Sequence, residues 1–196
     1  SGGLDFQLLG IGRTGHVGFN EPGSHVNSGT RIITLDHITR VDASSDFNGI
    51  DNVPKRAITM GVSTILRSKR IVLMAWGQNK ADIIKRTIQG EISSEVPATF
   101  LQNHTNATFV LDQSAASELT RFKTPWLVGE CIWNQELKSK AIVWLCQSTN
   151  QSILKLINYK HAVIKIYNNK PNAVATRYFN REAAKIKIEN NAYLSK

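Results

Sequence analysis

Short apolar runs alternate with amphipathic stretches along the first 120 or so residues, a spacing that predicts strands and helices in turn. Phe6-Gln7-Leu8-Leu9 is apolar and ends in glycines, the pattern of a buried strand. Arg31-Ile32-Ile33-Thr34-Leu35 is β-branched and predicts a second strand. Ile71-Val72-Leu73-Met74-Ala75-Trp76 predicts the strongest, and Gly77 separates it from a helix over about 79–89. In that helix Ile83, Ile84, Thr87 and Ile88 share one face, while Lys80, Lys85 and Arg86 take the other. Thr108-Phe109-Val110-Leu111 predicts one more strand, followed by a Ser114-capped helix to Thr120. Strand–helix–strand order with continuously apolar strands predicts an α/β fold, with a mostly parallel sheet covered by helices.

Past Pro125-Trp126 the texture changes. Residues 136–146 predict one amphipathic helix burying Leu137, Ala141, Trp144 and Leu145. After Asn150 come the apolar runs 153–157 and 162–166, then Asn-rich segments such as 168–172, with no internal repeat. The expected division is a body over 1–129, a connecting helix over 130–150, and an extension or linker over 151–196.

Composition narrows the function classes. With 41% hydrophobic residues in 196, the chain can form a core, which excludes disorder for most of it. No apolar run approaches the roughly 18 residues that span a bilayer, so no membrane partner is expected. The start, Ser1-Gly2-Gly3-Leu4-Asp5, lacks a basic segment followed by an apolar one; no secretory signal is expected and the expected location is cytoplasmic. Cys131 and Cys146 cannot build a disulfide framework and are expected to be reduced, largely buried thiols. His25, His37, His104 and His161 form no metal spacing.

The net charge of +9 is uneven. Residues 1–150 carry 15 Lys+Arg against 13 Asp+Glu, and residues 151–196 carry 9 against 2. The basicity therefore belongs to the extension, and no nucleic-acid partner is expected of the body. Trp126, Trp133 and Trp144 are expected to pack in a core rather than stack on bases.

Gly10-Ile11-Gly12-Arg13-Thr14-Gly15 fits G-x-G-x-x-G after a strand, and Asp36 ends a second strand about 20 residues later. A dinucleotide site also needs a helix to open at the third glycine. The next residues, His16-Val17-Gly18-Phe19-Asn20-Glu21-Pro22-Gly23-Ser24, are too rich in glycine and proline for that. The loop supports another reading. His16, at the carboxyl end of a strand, can accept and return a proton near neutrality, and Glu21 can orient its imidazole.

Residues 9–22, with Gly15-His16-Val17-Gly18-Phe19-Asn20-Glu21-Pro22 at their centre, resemble the active-site signature of glucosamine-6-phosphate deaminases, also called isomerases. The likeness continues through Thr30-Arg31-Ile32, Val53-Pro54-Lys55, residues 57–62 and Gly77-Gln78-Asn79-Lys80-Ala81, and fades after Gly129. It implies a doubly wound, Rossmann-like sheet with helices on both faces. It also implies conversion of glucosamine 6-phosphate and water to fructose 6-phosphate and ammonia, with no metal or organic cofactor. By the same resemblance His16 opens the sugar ring as acid and base, and Glu21 supports it. Gly12, Gly15 and Lys80 contact the phosphorylated amino sugar, and Lys80 takes its phosphate. Ser24, Arg31 and Thr34 fall where regulated members bind an effector. A homo-oligomer is expected.

The departures from the pattern matter equally. The family's catalytic aspartate is Thr14 here, its phosphate-binding arginine falls at Ser45, and the lysine of the effector site is Ile33. Arg13 or Arg40 could replace the lost arginine. The Gly-Gly-Thr/Ser-Pro phosphate loop and the aspartate that moves a proton between C2 and C1 have no match in the chain. The chain thus resembles the second half of a deaminase domain, lacking its N-terminal strands and expected to work with its missing N-terminal half. Two other readings remain: a catalytically silent sugar-phosphate binder, and a partner-binding role for the basic extension.

Overall fold

A computed structural model describes residues 3–150 and 152 of the chain. The expectations for the extension, including the apolar runs 153–157 and 162–166 and His161, lie outside the described residues. Two compact units divide the described chain, one running through Ser117 and the other beginning at Glu118.

In chain order the first unit contains β1 (Phe6–Leu9), β2 (Arg31–Thr34), α1 (His37–Ala43), β3 (Arg56–Thr59) and α2 (Val62–Leu66). It continues with β4 (Arg70–Ala75), α3 (Ala81–Gln89), β5 (Ala107–Leu111) and α4 (Gln113–Ala116). Strands β1, β4 and β5 form a parallel sheet in the order β1–β4–β5, in register at Phe6–Arg70 and Ile71–Ala107. This is the α/β architecture the sequence predicts. Parallel neighbours need crossover connections, and both are present: the long excursion through residues 10–69 and the α3 segment.

The central strand, β4, buries Ile71, Val72, Leu73 and Ala75, which matches its unbroken apolar sequence. Helix α3 buries Ala81, Ile83, Ile84, Thr87 and Ile88, the face expected from its period. It begins later than predicted, because residues 78–80 form a separate 3₁₀ turn.

Three expectations are corrected. Strand β1 is not buried: Phe6 is 52% and Leu8 58% exposed. Among the described residues β1 is an edge strand paired only with β4, and of its four residues Leu9 alone is buried. Strand β2 stands outside the parallel sheet and pairs antiparallel with β3, with Ile32 opposite Ile58. Its alternating half-buried and exposed residues are the one-faced pattern of an antiparallel ribbon, unlike the continuous burial of β4. The cap after β5 is Asp112, whose carboxylate accepts from the Ala115 backbone N–H at 2.7 Å, and not Ser114. Asp112 reaches further than serine and also accepts from Gly77 N–H, 3.1 Å to each oxygen. The helix therefore starts two residues earlier and stops at Ala116, while Thr120 opens a separate turn.

The second unit holds α5 (Thr120–Lys123) and α6 (Gln135–Thr149), the latter capped by Asn134 and ended by left-handed Asn150. Of the four residues expected to be buried on α6, Ala141 and Leu145 are, while Leu137 and Trp144 are only half-buried. Trp126 packs against Trp133 and Trp144, with ring centroids 6.0 Å apart in both pairs, so the tryptophans form a packed cluster. Cys131 and Cys146 are free but only half-buried, which corrects the expectation of largely buried thiols. What burial Cys131 has pushes its thiol pKa up. No helix among the described residues is long and apolar enough to cross a membrane.

Candidate active site

Strands β1 and β4 are parallel neighbours, so the loops leaving their carboxyl ends emerge side by side. The first carries residues 10–24 and the second Gly77 to Lys80. A cleft of about 410 Å³ lies where they meet, lined by Gly10, Ile11, Gly12, His16, Thr39 and Lys80 among others. That volume suits a small polar metabolite.

The β1 loop does not open a helix. It folds back on itself: Gly12 N–H donates to His16 O at 3.2 Å and Gly15 N–H to Gly12 O at 3.0 Å. Gly15 sits at φ 81°, in the left-handed region that glycine tolerates. The first helix after the glycines is α1, and Asp36 caps it by accepting from Ile38 N–H at 2.8 Å. The geometry a dinucleotide fingerprint requires is therefore not formed.

The loop presents His16 instead. Three oxygens surround its Nδ1: Thr14 Oγ1 at 3.0 Å, Glu21 Oε2 at 3.2 Å and Thr39 Oγ1 at 3.4 Å. Thr14 also donates to Glu21 Oε2 at 3.4 Å, so the three side chains close a triangle. Glu21 accepts from the Asp36 backbone N–H at 3.4 Å, which ties it to the start of α1. A carboxylate on Nδ1 favours the tautomer protonated there and leaves Nε2 available to a ligand. The His16 and Glu21 side chains are 16% and 12% exposed, shielded from bulk water but reachable.

Lys80 reaches across from the β4 loop, its Nζ donating to Ile11 O at 2.9 Å. This puts an ammonium on the same cleft as His16, two residues that are 64 apart in sequence. Gly12 lines the cleft as expected, but Gly15 faces elsewhere. A Cβ on Gly15 would meet Val96 Cγ1 at 2.5 Å, and Gly15 O accepts from Ala98 N–H. Gly15 shapes the loop from behind and does not line the cleft.

Arg31 donates to Ser24 Oγ at 2.9 Å and to Asn20 Oδ1 at 2.9 Å, which joins two of the three effector-like positions. Thr34 is not with them. Strand alternation turns it to the face opposite Arg31, and it is exposed. Among the two candidate replacement arginines, Arg13 grips Asp42 and Arg40 donates to Ile50 O.

Sequence reasoning missed Thr39, Asp42 and Asn20. Thr39 and Asp42 reach the cleft only because α1 packs beside the loop, and nothing local marks them. Asn20 is fully buried and donates to Val17 O at 2.9 Å and Met60 O at 2.7 Å. It clamps the loop to the end of β3. Asn20→Ala is expected to lower stability by about 2 kcal/mol, read as a shift of the urea midpoint without a change of slope.

The sequence model for the glucosamine-6-phosphate isomerases and 6-phosphogluconolactonases matches residues 2–110, more than half of the chain. The chain belongs to this family. A glucosamine-6-phosphate deaminase-like protein of Bacteroides thetaiotaomicron is 55% identical over 157 residues, covering 80% of this chain and 24% of that protein. The glucosamine-6-phosphate deaminase of Streptococcus suis is 50% identical over 116 residues, covering 59% of this chain and 50% of its own. A solved monomeric glucosamine-6-phosphate deaminase superposes with a TM-score of 0.57 at 48% identity, covering 58% of this chain and 47% of that one. This chain thus spans about half, or less, of the length of these relatives. The family match ends within β5, so it covers the parallel sheet and the whole cleft.

Proposed function

We propose that the chain carries the acid–base half of a glucosamine-6-phosphate deaminase: glucosamine 6-phosphate plus water gives fructose 6-phosphate plus ammonia, a hydrolytic loss of the C2 amine coupled to aldose–ketose isomerisation. The observation that supports this is the convergence of the His16–Glu21–Thr14 triangle and Lys80 on one cleft of sugar-phosphate size. In this reading His16 Nε2 moves the proton that opens the pyranose ring. Glu21 holds the ring in orientation, Thr14 braces both, and Gly12 and Lys80 contact the substrate. General acid–base help of this kind is typically worth about 10² to 10⁴ in rate.

The step between C2 and C1 needs a further base, and the upstream half that the relatives carry is the proposed source. Residues 1–129 are then the C-terminal half of the catalytic domain, 130–150 a connecting helix, and 151–196 a basic extension or linker. The proposed setting is the cytoplasm, where phosphorylated amino sugars are metabolised.

The test is ammonia release from glucosamine 6-phosphate by the chain extended upstream to the length of its relatives. His16→Gln is expected to abolish release. Full activity in that variant would remove His16 from the mechanism. One observation favours a second reading, a silent sugar-phosphate binder: at 3.0 Å from His16 Nδ1, the hydroxyl of Thr14 cannot stabilise an imidazolium by charge as a carboxylate would. Saturable binding by the extended chain without ammonia release would decide for that reading.

A further inference from the structure

The charges around the cleft do not suit a phosphate dianion as they stand. Lys80 is the one ammonium or guanidinium among the lining residues, and it already donates to Ile11 O. Asp42 is the one carboxylate among them, and like charge repels an incoming phosphate. Asp42 is not alone, however. Arg13, next in sequence to the cleft residue Gly12, holds it in a two-pronged grip: Nε donates to Oδ2 at 2.9 Å and Nη2 to Oδ1 at 2.5 Å. That fork fits a phosphate as well as it fits a carboxylate. The pair is half-exposed, at 48% and 41%, so a ligand in solution can reach it and water screens it. Neither Arg13 nor Arg40 is itself among the lining residues; Arg13 is joined to one of them, Asp42, whereas the Nη2 of Arg40 is bound to Ile50 O.

We propose that Arg13 is the guanidinium that grips the phosphate of a bound sugar phosphate, and that Asp42 occupies this fork until the ligand displaces it. The proposal rests on the reading that the cleft takes a sugar phosphate, and it names the residue that supplies the bidentate contact. Asp42 then acts as an internal competitor. The two substitutions should push affinity in opposite directions, which a merely structural ion pair would not do.

The experiment is titration calorimetry of the 196-residue chain with glucosamine 6-phosphate and with glucosamine, each variant first shown to melt cooperatively. Arg13→Ala is expected to weaken glucosamine 6-phosphate binding at least tenfold. Arg13→Lys should recover only part of this, because an ammonium cannot form the fork; it also serves if the alanine variant does not fold. Asp42→Asn is expected to tighten glucosamine 6-phosphate binding threefold or more, and affinity for glucosamine should move less than twofold in all three. Wild-type affinity in both Arg13 variants overturns the proposal, as does an Asp42→Asn chain that loses affinity as Arg13→Ala does. A wild-type chain that binds both compounds alike overturns the sugar-phosphate reading of the cleft together with this proposal.

Discussion

Gly12→Ala is expected to remove acid–base chemistry from the cleft while leaving the fold intact. A Cβ built on Gly12 falls 2.1 Å from His16 Cε1, 2.3 Å from Nε2 and 2.5 Å from Nδ1, a clash with the imidazole far inside van der Waals contact. The ring has to swing away, and as a side chain bordering the cleft it has room to turn. Swinging breaks the contacts of Nδ1 with Glu21 and Thr14, so the ring loses its orientation and its tautomer preference together. In the chain extended to its relatives' length, ammonia release should fall by about 10² to 10⁴, the range of the acid–base contribution. The melting temperature should change little. Adding His16→Gln to Gly12→Ala should bring no further loss, since both substitutions remove the same group. A Gly12→Ala chain of normal activity would mean that the orientation of His16 does not matter.

Gly61→Ala is expected to act on stability instead. Its Cβ would lie 2.0 Å from Ser28 O and 2.2 Å from Gly29 O, and backbone cannot yield as the tip of a side chain can. Ser28 also caps the start of α2: its carbonyl accepts from Ser63 N–H and from Ser63 Oγ–H, and its hydroxyl accepts from Val62 N–H. Pushing residues 28–29 aside breaks these hydrogen bonds and shifts the segment that leads into β2. The expected loss is about 3 kcal/mol or more, at the upper end of single substitutions. Equilibrium urea unfolding of the chain measures it, and a loss below about 1 kcal/mol would show that the segment relaxes freely.

The two glycines show why the loop is as it is. Gly12 is needed because a ring stands where its side chain would be, and Gly61 because a neighbouring carbonyl does. Neither is fixed by its own backbone angle, since both lack the positive φ seen at Gly15 and Gly77. In the sequence all four are simply glycines.

Periodicity made β4 and α3 legible, because the first buries a continuous run and the second a single helical face, so each writes its environment into its own residues. The His16–Glu21 pair was legible for a related reason: the two residues stand five apart on one tight loop, so sequence proximity already brings them near each other. The pairing of β2 with β3 was not, since antiparallel or parallel register is decided by the partner strand, and β3 has only four residues to announce itself. Nor was the exposure of Phe6 and Leu8, which depends on what lies beside β1 rather than on β1. Sequence alone determined the principal strand and helix of the sheet, β4 and α3, and the chemical groups of the site, whereas α1, β3 and α2 were not legible in it. Tertiary structure decided that Lys80, Thr39 and Asp42 share a cleft with His16, because parallel pairing of β1 with β4 and the seating of α1 bring distant residues within hydrogen-bond reach.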